Sequence, residues 1–185
     1  MQPTTHIHPK PTLNRAIHYG AMVAVVLLVL SAPLQVLLTL LGAPGGLFIL
    51  SAFFTLILAL PVLMLTAIAP AVTVSDEGIT LKPTIWKTRF VSWSDVQAVK
   101  PFPLLPSPDS EINRKAGVGR KNYRPAEGIM LVIPSLPLQY RIGGFFAGER
   151  AAPIIALTNR AHTDYDKLVK TIGSHFKIET ESSDK

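Results

Sequence analysis

The stretch "PAVTVSDEGITLKPTIWKTRFVSWSDVQAV" (residues 70–99) decides the fold, because the chain turns there from a long apolar block to strand-like alternation without a linker. Two alternating segments, 72–74 and 79–81, flank the turn sequence "SDEG" at 75–78. Aromatic and β-branched residues then recur at every second position across 86–90. Polar residues interrupt the pattern after position 90, and apolar positions recur beyond them. Together these segments predict four short antiparallel strands.

The rest of the polar region predicts three more strands and one helix. The strands are "GIMLVIP" (128–134), "LQYRIGG" (138–144) and "PIIALT" (153–158). The period then changes, and the apolar residues recur at the spacing of one helical face. These residues are Tyr165, Leu168, Val169, Ile172 and Phe176. The predicted domain is therefore an α+β fold of seven short antiparallel strands and a C-terminal helix.

The block before this domain has the composition of a membrane anchor. Residues 16–69 contain no Asp, Glu, Lys or Arg. Two apolar runs, 16–41 and 47–69, each exceed the roughly 20 residues that a helix needs to cross a bilayer, and "GAPGG" (42–46) forms a turn between them. We predict a hairpin of two transmembrane helices over 16–70. A cleavable signal peptide and a buried core hairpin are the alternatives.

Charge predicts the orientation of this hairpin. Lys10 and Arg15 precede it, Lys82, Lys87 and Arg89 follow it, and the turn carries no charge. Since positive residues stay on the cytoplasmic side, both termini and the domain are expected to be cytoplasmic in a multi-pass protein of the plasma (inner) membrane. The expected divisions are an N-terminal tail at 1–15, the hairpin at 16–70, the domain at 71–178 and a polar tail at 179–185.

Three short motifs resemble a known family. "VTVSDEGITLK" (72–82), "VSWSDVQAV" (91–99) and the helix start "HTDYDKL" (162–168) are similar to bacterial PH-like (pleckstrin-homology-like) domains. A two-helix hairpin fused directly to such a domain is a familiar layout among membrane-anchored members. The resemblance implies a PH-like fold, a seven-stranded antiparallel, partly open barrel with a C-terminal helix, and a location at the membrane, and it carries no catalytic motif. The connection at 101–127 is longer than the family's usual one.

This long connection holds the first set of candidate contact residues. We predict it to be a loop whose second half is basic, and its five basic residues are Arg114, Lys115, Arg120, Lys121 and Arg124. Near an anionic leaflet each can contribute about 1 kcal/mol. The alternatives are lipid headgroups, an acidic protein partner, or a solvated loop without a ligand. Nucleic acid is not expected, because stacking aromatic residues other than Tyr123 are lacking.

The second set of candidates is a stripe of small residues in the anchor. Ser51, Thr55 and Ala59 recur every four residues and are suited to close helix packing, either within the hairpin or against another membrane subunit. His18 is the single ionisable residue in the apolar block apart from Tyr19. A small transporter or channel subunit is therefore the least favoured of three functions.

The composition gives no sign of catalysis. The chain has no cysteine, and its histidines form no motif with metal-ligand spacing. We expect no enzyme activity, no metal, no cofactor and no small-molecule substrate. The expected function is a membrane-anchored interaction module, an accessory subunit or assembly and scaffold factor that contacts lipids and other membrane subunits. The alternative is a sensor of anionic lipid headgroups acting through the basic loop.

Overall fold

The structure is a computed structural model that describes residues 2–42, 45–119 and 123–176. It contains one strand before two long helices, and six strands after them within these described ranges. The helices are α1 (Pro11–Leu40), α2 (Gly45–Leu65), α3 (Pro108–Val118), α4 (Arg141–Phe146) and α5 (Tyr165–Gly173). The strands are β1 (Thr4–His6), β2 (Ala71–Val74), β3 (Gly78–Lys82), β4 (Arg89–Ser92), β5 (Ala98–Pro101), β6 (Gly128–Val132) and β7 (Ile154–Thr158).

Helix α1 is the long apolar helix expected near the N-terminus. Its 30 residues correspond to about 45 Å. Among the described residues it is the one helix long and apolar enough to cross a membrane, and the apolar part of α2, Ile49–Leu65, is shorter. The expected pair of spanning helices is thus observed as one qualifying helix and one shorter partner.

The two helices pack on each other through small side chains. Only residues 41–44 join them, so they run antiparallel. Val25 and Ala32 are buried on α1, and Ala52 and Ala59 are buried on α2. Each pair is seven residues apart, the spacing of a left-handed helix seam. The predicted hairpin geometry follows from this seam.

Strand β1 was not predicted, because residues 1–15 were expected to be a tail. It pairs antiparallel with β2, with Thr4 opposite Val74 and His6 opposite Val72, and the first sheet has the order β1-β2-β3-β4. Three polar residues, "TTH", carry no readable alternation, and their partners lie 66 to 70 positions further along the chain. The helices are therefore inserted between two neighbouring strands, and for this reason the chain needs no linker.

The second sheet corrects the expected barrel. It has the order β5-β6-β7, so the domain has two antiparallel sheets of four and three strands rather than the predicted seven-stranded, partly open barrel. The predicted strand at 138–144 is wrong, since Leu138–Tyr140 is a 3₁₀ turn that leads into α4. A Cβ on Gly144 would lie 1.8 Å from Ala152 O, a close backbone approach that glycine permits in this turn.

The connection 101–127, expected to be a loop, contains helix α3. The Ser107 hydroxyl accepts a hydrogen bond from the Ser110 N–H, and proline occupies the first turn together with Asp109 and Glu111. This capping serine, N-terminal proline and acidic first turn favour a helix start. The predicted loop therefore contains a helix, which begins at Pro108.

The core lies between the sheets and α5. The apolar face predicted for this helix is confirmed, because Leu168 and Ile172 are fully buried against the strands. The Trp93 indole N–H donates to Ser75 O over 3.1 Å, which ties the turn after β4 to the turn after β2. Burial of the strands' apolar side chains is the main contribution to the stability of this fold.

Candidate interaction site at the membrane junction

The end of α2 is fixed by two side chains from different parts of the chain. The Trp86 indole N–H donates to Thr66 Oγ1 over 3.0 Å, and His18 Nε2 of α1 lies 3.2 Å from Thr66 O. Thr66 Oγ1 also donates to Leu63 O. The last turn of α2 is therefore bonded to α1 and to the loop that follows β3.

Two of the four residues after Thr66 are hydrogen-bonded to the second sheet and to the loop that follows β7. The Ala156 N–H donates to Ile68 O over 2.7 Å, and His162 Nε2 donates to Pro70 O over 2.9 Å. Backbone groups leaving a helix need such partners when they are buried. These bonds fix the direction of α2 relative to the domain.

His162 is a buried histidine in its neutral form. Its side chain is 2% exposed, and its Nδ1 accepts a hydrogen bond from the Thr158 N–H over 3.2 Å. Acceptance at Nδ1 and donation at Nε2 are the pattern of the Nε2–H tautomer, and Nδ1 also lies 3.3 Å from Thr158 O. Burial lowers the pKa of His162, the contacts with Pro70 O and Thr158 O oppose this, and repulsion from His6 and His8 lowers it further.

Strand β1 is anchored to the loop before α5. His6 is 1% exposed, and its Nδ1 lies 2.8 Å from Thr163 O. The Thr163 N–H donates to Ile7 O over 2.9 Å. These contacts add to the ladder between β1 and β2, so the segment before the first helix belongs to the folded domain.

A cavity lies where α1 leaves the domain. Its volume is about 380 Å³, and its polar lining comes from His8, Asn14, Arg15, Tyr19 and Lys82. Among the described ion pairs, none involves either of its cations. The first turn of α1 contributes to the wall, where the helix dipole is positive. This α1 cavity is therefore electropositive and beside the apolar helix.

A second cavity lies on the far side of His8. It measures about 480 Å³ and is lined by His8, Pro9, Lys10, Arg114, Asn159 and Arg160. Arg160 donates to Glu111 through an ion pair of 3.0 Å. One of its cations is thus already neutralised.

The predicted basic residues do not form one patch in the described part of the chain. Arg124 forms ion pairs with Asp166 and Glu127, and its hydrogen bonds lower the pKa of Asp166. Lys115 Nζ lies 5.6 Å from the centre of the Tyr123 ring. Arg114 lines the second cavity, and Arg120 and Lys121 lie outside the described residues.

Glu111 connects α3 to the segment that follows it. The Tyr123 hydroxyl donates to Glu111 Oε2 over 2.6 Å, and Arg160 donates to both carboxylate oxygens. The hydrogen bond from Tyr123 is the largest cause of the lowered pKa of Glu111, and it raises the pKa of Tyr123. Sequence reasoning missed Arg160, whose partner lies 49 positions away.

The small-residue stripe of α2 faces in two directions. Ala59 is buried in the seam with α1, Thr55 is half-buried and Ser51 is exposed. Packing within the hairpin therefore accounts for Ala59. Ser51 remains available on the outer surface of the pair.

The described ranges contain no evident metal centre. Among those residues, no group of three or more histidine, aspartate or glutamate side chains is placed to hold a metal ion. Comparison with protein-family models, with curated proteins and with solved structures finds no match to this chain. The function must therefore be inferred from the chain's own geometry.

Proposed function

We propose that the protein is a non-enzymatic, membrane-anchored interaction module, an accessory subunit or scaffold factor of a membrane complex. The observation that carries this proposal is the pairing of β1 with β2. Because the strands on either side of α1 and α2 are hydrogen-bonded neighbours, both ends of the helix pair lie on the same side of any membrane that it crosses.

This geometry supports two crossings. If α1 spans the bilayer, the chain must return through it to reach β2. Helix α2 has 21 residues, which give about 31 Å against a hydrocarbon core of about 30 Å. Lys10, Arg15 and Lys82 lie at the domain end of the helices, so the positive-inside rule assigns this end to the cytoplasm.

The proposed domain is PH-like, with the anchor inserted after its first strand. A four-stranded sheet, a three-stranded sheet and a helix after the last strand support this assignment. The bonds from Trp86 to Thr66 and from His162 to Pro70 hold the domain in one orientation on the leaflet. A domain held in this way presents fixed surfaces to a neighbouring subunit.

Photo-crosslinking in native membranes tests the module. A photoreactive amino acid at Ser51 or at Leu30, both exposed on the helix pair, and at Ile112 on α3 samples three outer surfaces. The matched control is Ala59, which is 4% exposed in the helix seam. We expect a discrete protein adduct at one or more exposed positions, none at the control, and the same companion in mild detergent. Only lipid adducts, with a lone monodisperse protein, would contradict the proposal.

The second candidate function is recognition of anionic lipid headgroups. The α1 cavity favours it, because Arg15 and Lys82 line a space of about 380 Å³ beside the apolar helix. We therefore propose headgroup recognition at the start of α1 rather than in the predicted basic loop, where Arg124 is already ion-paired.

The variant Arg15→Gln/Lys82→Gln tests this second function. At about 1 kcal/mol per cation, the double variant is expected to lower affinity for phosphatidylglycerol roughly 30-fold. Native mass spectrometry of the full chain released from mixed-lipid nanodiscs measures the retained lipid. Arg114→Gln/Lys115→Gln is the matched control, and an equal loss there would move the site to the basic segment. No change in either variant would exclude headgroup recognition.

A further inference from the structure

We propose that the exposed face of residues 138–146 is a second membrane contact, which inserts into the interfacial layer of the leaflet that α2 leaves. We call this surface the 138–146 ridge. Its apolar members are Leu138, Phe145 and Phe146. The ridge rests on the proposed membrane location of α1 and α2, and its partner is the lipid bilayer itself.

The ridge has the wrong polarity for a face in contact with water. Leu138, Phe145 and Phe146 are 61%, 67% and 54% exposed. The opposite face is buried through Tyr140 and two glycines. Surface helices normally turn their apolar side chains inward and their polar side chains outward, whereas here the large apolar side chains point outward.

The glycines set the position of the ridge. A Cβ on Gly143 would lie 3.2 Å from Ile68 Cγ1 and 3.1 Å from Ile154 Cγ1. The backbone of α4 therefore packs directly against Ile68, three positions after the end of α2. Because this contact is close, the direction of the exposed aromatic rings is fixed by the backbone.

The ridge is continuous with the surface of the anchor. Both the 3₁₀ turn and α4 contact α2 itself, so they lie level with its final turns, where Leu65 is also exposed. An apolar surface beside the end of a membrane-spanning helix lies at the boundary between the lipid headgroups and the acyl chains. Phenylalanine and leucine are typical of the face that an interfacial helix buries at this depth.

Charge on the ridge fits the same location. Arg141 is exposed in the first turn of α4, and it is the single charged residue between Leu138 and Phe146. A long basic side chain can leave its aliphatic stem among acyl chains while its charge reaches the phosphate layer. Apolar residues with a basic neighbour are typical of interfacial helices.

Spin labels on the cysteine-free chain test the ridge. The variants Leu138→Cys, Phe145→Cys and Phe146→Cys are labelled singly in the full protein, reconstituted in phosphatidylethanolamine and phosphatidylglycerol vesicles. Ile112→Cys is the matched control, because it is 65% exposed on α3. Leu27→Cys on α1, which is 62% exposed, reports the lipid environment.

The measurement is the accessibility of each label to oxygen relative to a water-soluble nickel chelate. We expect the oxygen-to-nickel ratio at two or more ridge positions to exceed that at 112 roughly fivefold, toward the value at 27. A ratio equal to that at 112 would contradict membrane contact at the ridge. Low accessibility to both oxygen and the nickel chelate would also contradict it, because protein would then cover the ridge. If position 27 is exposed to lipid and the ridge positions are exposed to water, only the proposed membrane contact of the ridge is wrong. If position 27 is itself exposed to water, the proposed membrane anchor is wrong.

Discussion

Replacing His162 with alanine is expected to lower the free energy of unfolding of the domain by about 2–6 kcal/mol, because two buried backbone groups lose their partner at about 1–3 kcal/mol each. These groups are Pro70 O and the Thr158 N–H. Loss of the first also leaves the junction with the Ala156 N–H to Ile68 O bond as its remaining described backbone contact with the second sheet. The midpoint of thermal unfolding should fall by roughly 10 °C or more, measured by circular dichroism of the full chain in mild detergent.

The matched control is His175→Ala. His175 is exposed and stacks on Trp93 with ring centres 4.8 Å apart. Its removal should cost about 1 kcal/mol, the value of one aromatic contact. Equal shifts in the two variants would contradict the role assigned to His162.

The same histidine should make stability depend on pH. The folded-state pKa of His162 lies below the ordinary value of 6.5, so the unfolded chain binds the proton more tightly. The contribution of His162 is therefore complete above about pH 6.5 and is lost as the pH falls toward the folded-state pKa, by at most about 1.4 kcal/mol per pH unit. His162→Ala should show a flatter dependence between pH 6.5 and 5.

Local patterns predicted those elements whose signals are contained within a few residues. The strands at 71–74, 78–82 and 154–158 follow alternation or a short apolar run, and α5 follows its 3.6-residue period. Helix α1 was predicted from its apolar composition alone. In each case the residues that specify the element also form it.

Elements that depend on distant partners were missed. Strand β1 forms because it pairs with Val72–Val74 of β2, which follows α1 and α2 in the sequence. The three residues of β1 carry no pattern from which that pairing could be predicted. The segment 138–144 alternates in polarity, yet it forms a 3₁₀ turn and the start of α4, in which Gly143 and Gly144 closely approach residues from other parts of the chain. Arg124 was predicted as a candidate contact residue of the basic loop, because its partner Asp166 lies 42 positions away and no local pattern reveals their pairing.

With cysteines at positions 5 and 73, we expect a disulfide to form almost completely between the two strands. Thr5 and Thr73 are opposite each other in β1 and β2, and their hydroxyl oxygens are 3.0 Å apart. Directly opposed residues in antiparallel strands bring their Cβ atoms to about 4.5–5.5 Å, close enough for a disulfide after a small shift. The native chain has no cysteine, so only the added thiols can react.

The matched control is Thr5→Cys/Thr80→Cys. Thr80 is opposite Thr73 on β3, so it lies two strands from Thr5, at about 10 Å. This distance exceeds the reach of a disulfide. The control shares one cysteine with the test pair and differs by one strand spacing.

The most direct test of the inserted anchor is the number of free thiols after mild oxidation of native membranes, followed by denaturation and reaction with maleimide-polyethylene glycol. If the helix pair begins and ends at neighbouring strands, Thr5→Cys/Thr73→Cys should take up almost no polymer, while Thr5→Cys/Thr80→Cys should take up two chains. Two polymer chains on both variants would contradict the pairing of β1 with β2, and with it the same-side arrangement on which the proposed function depends.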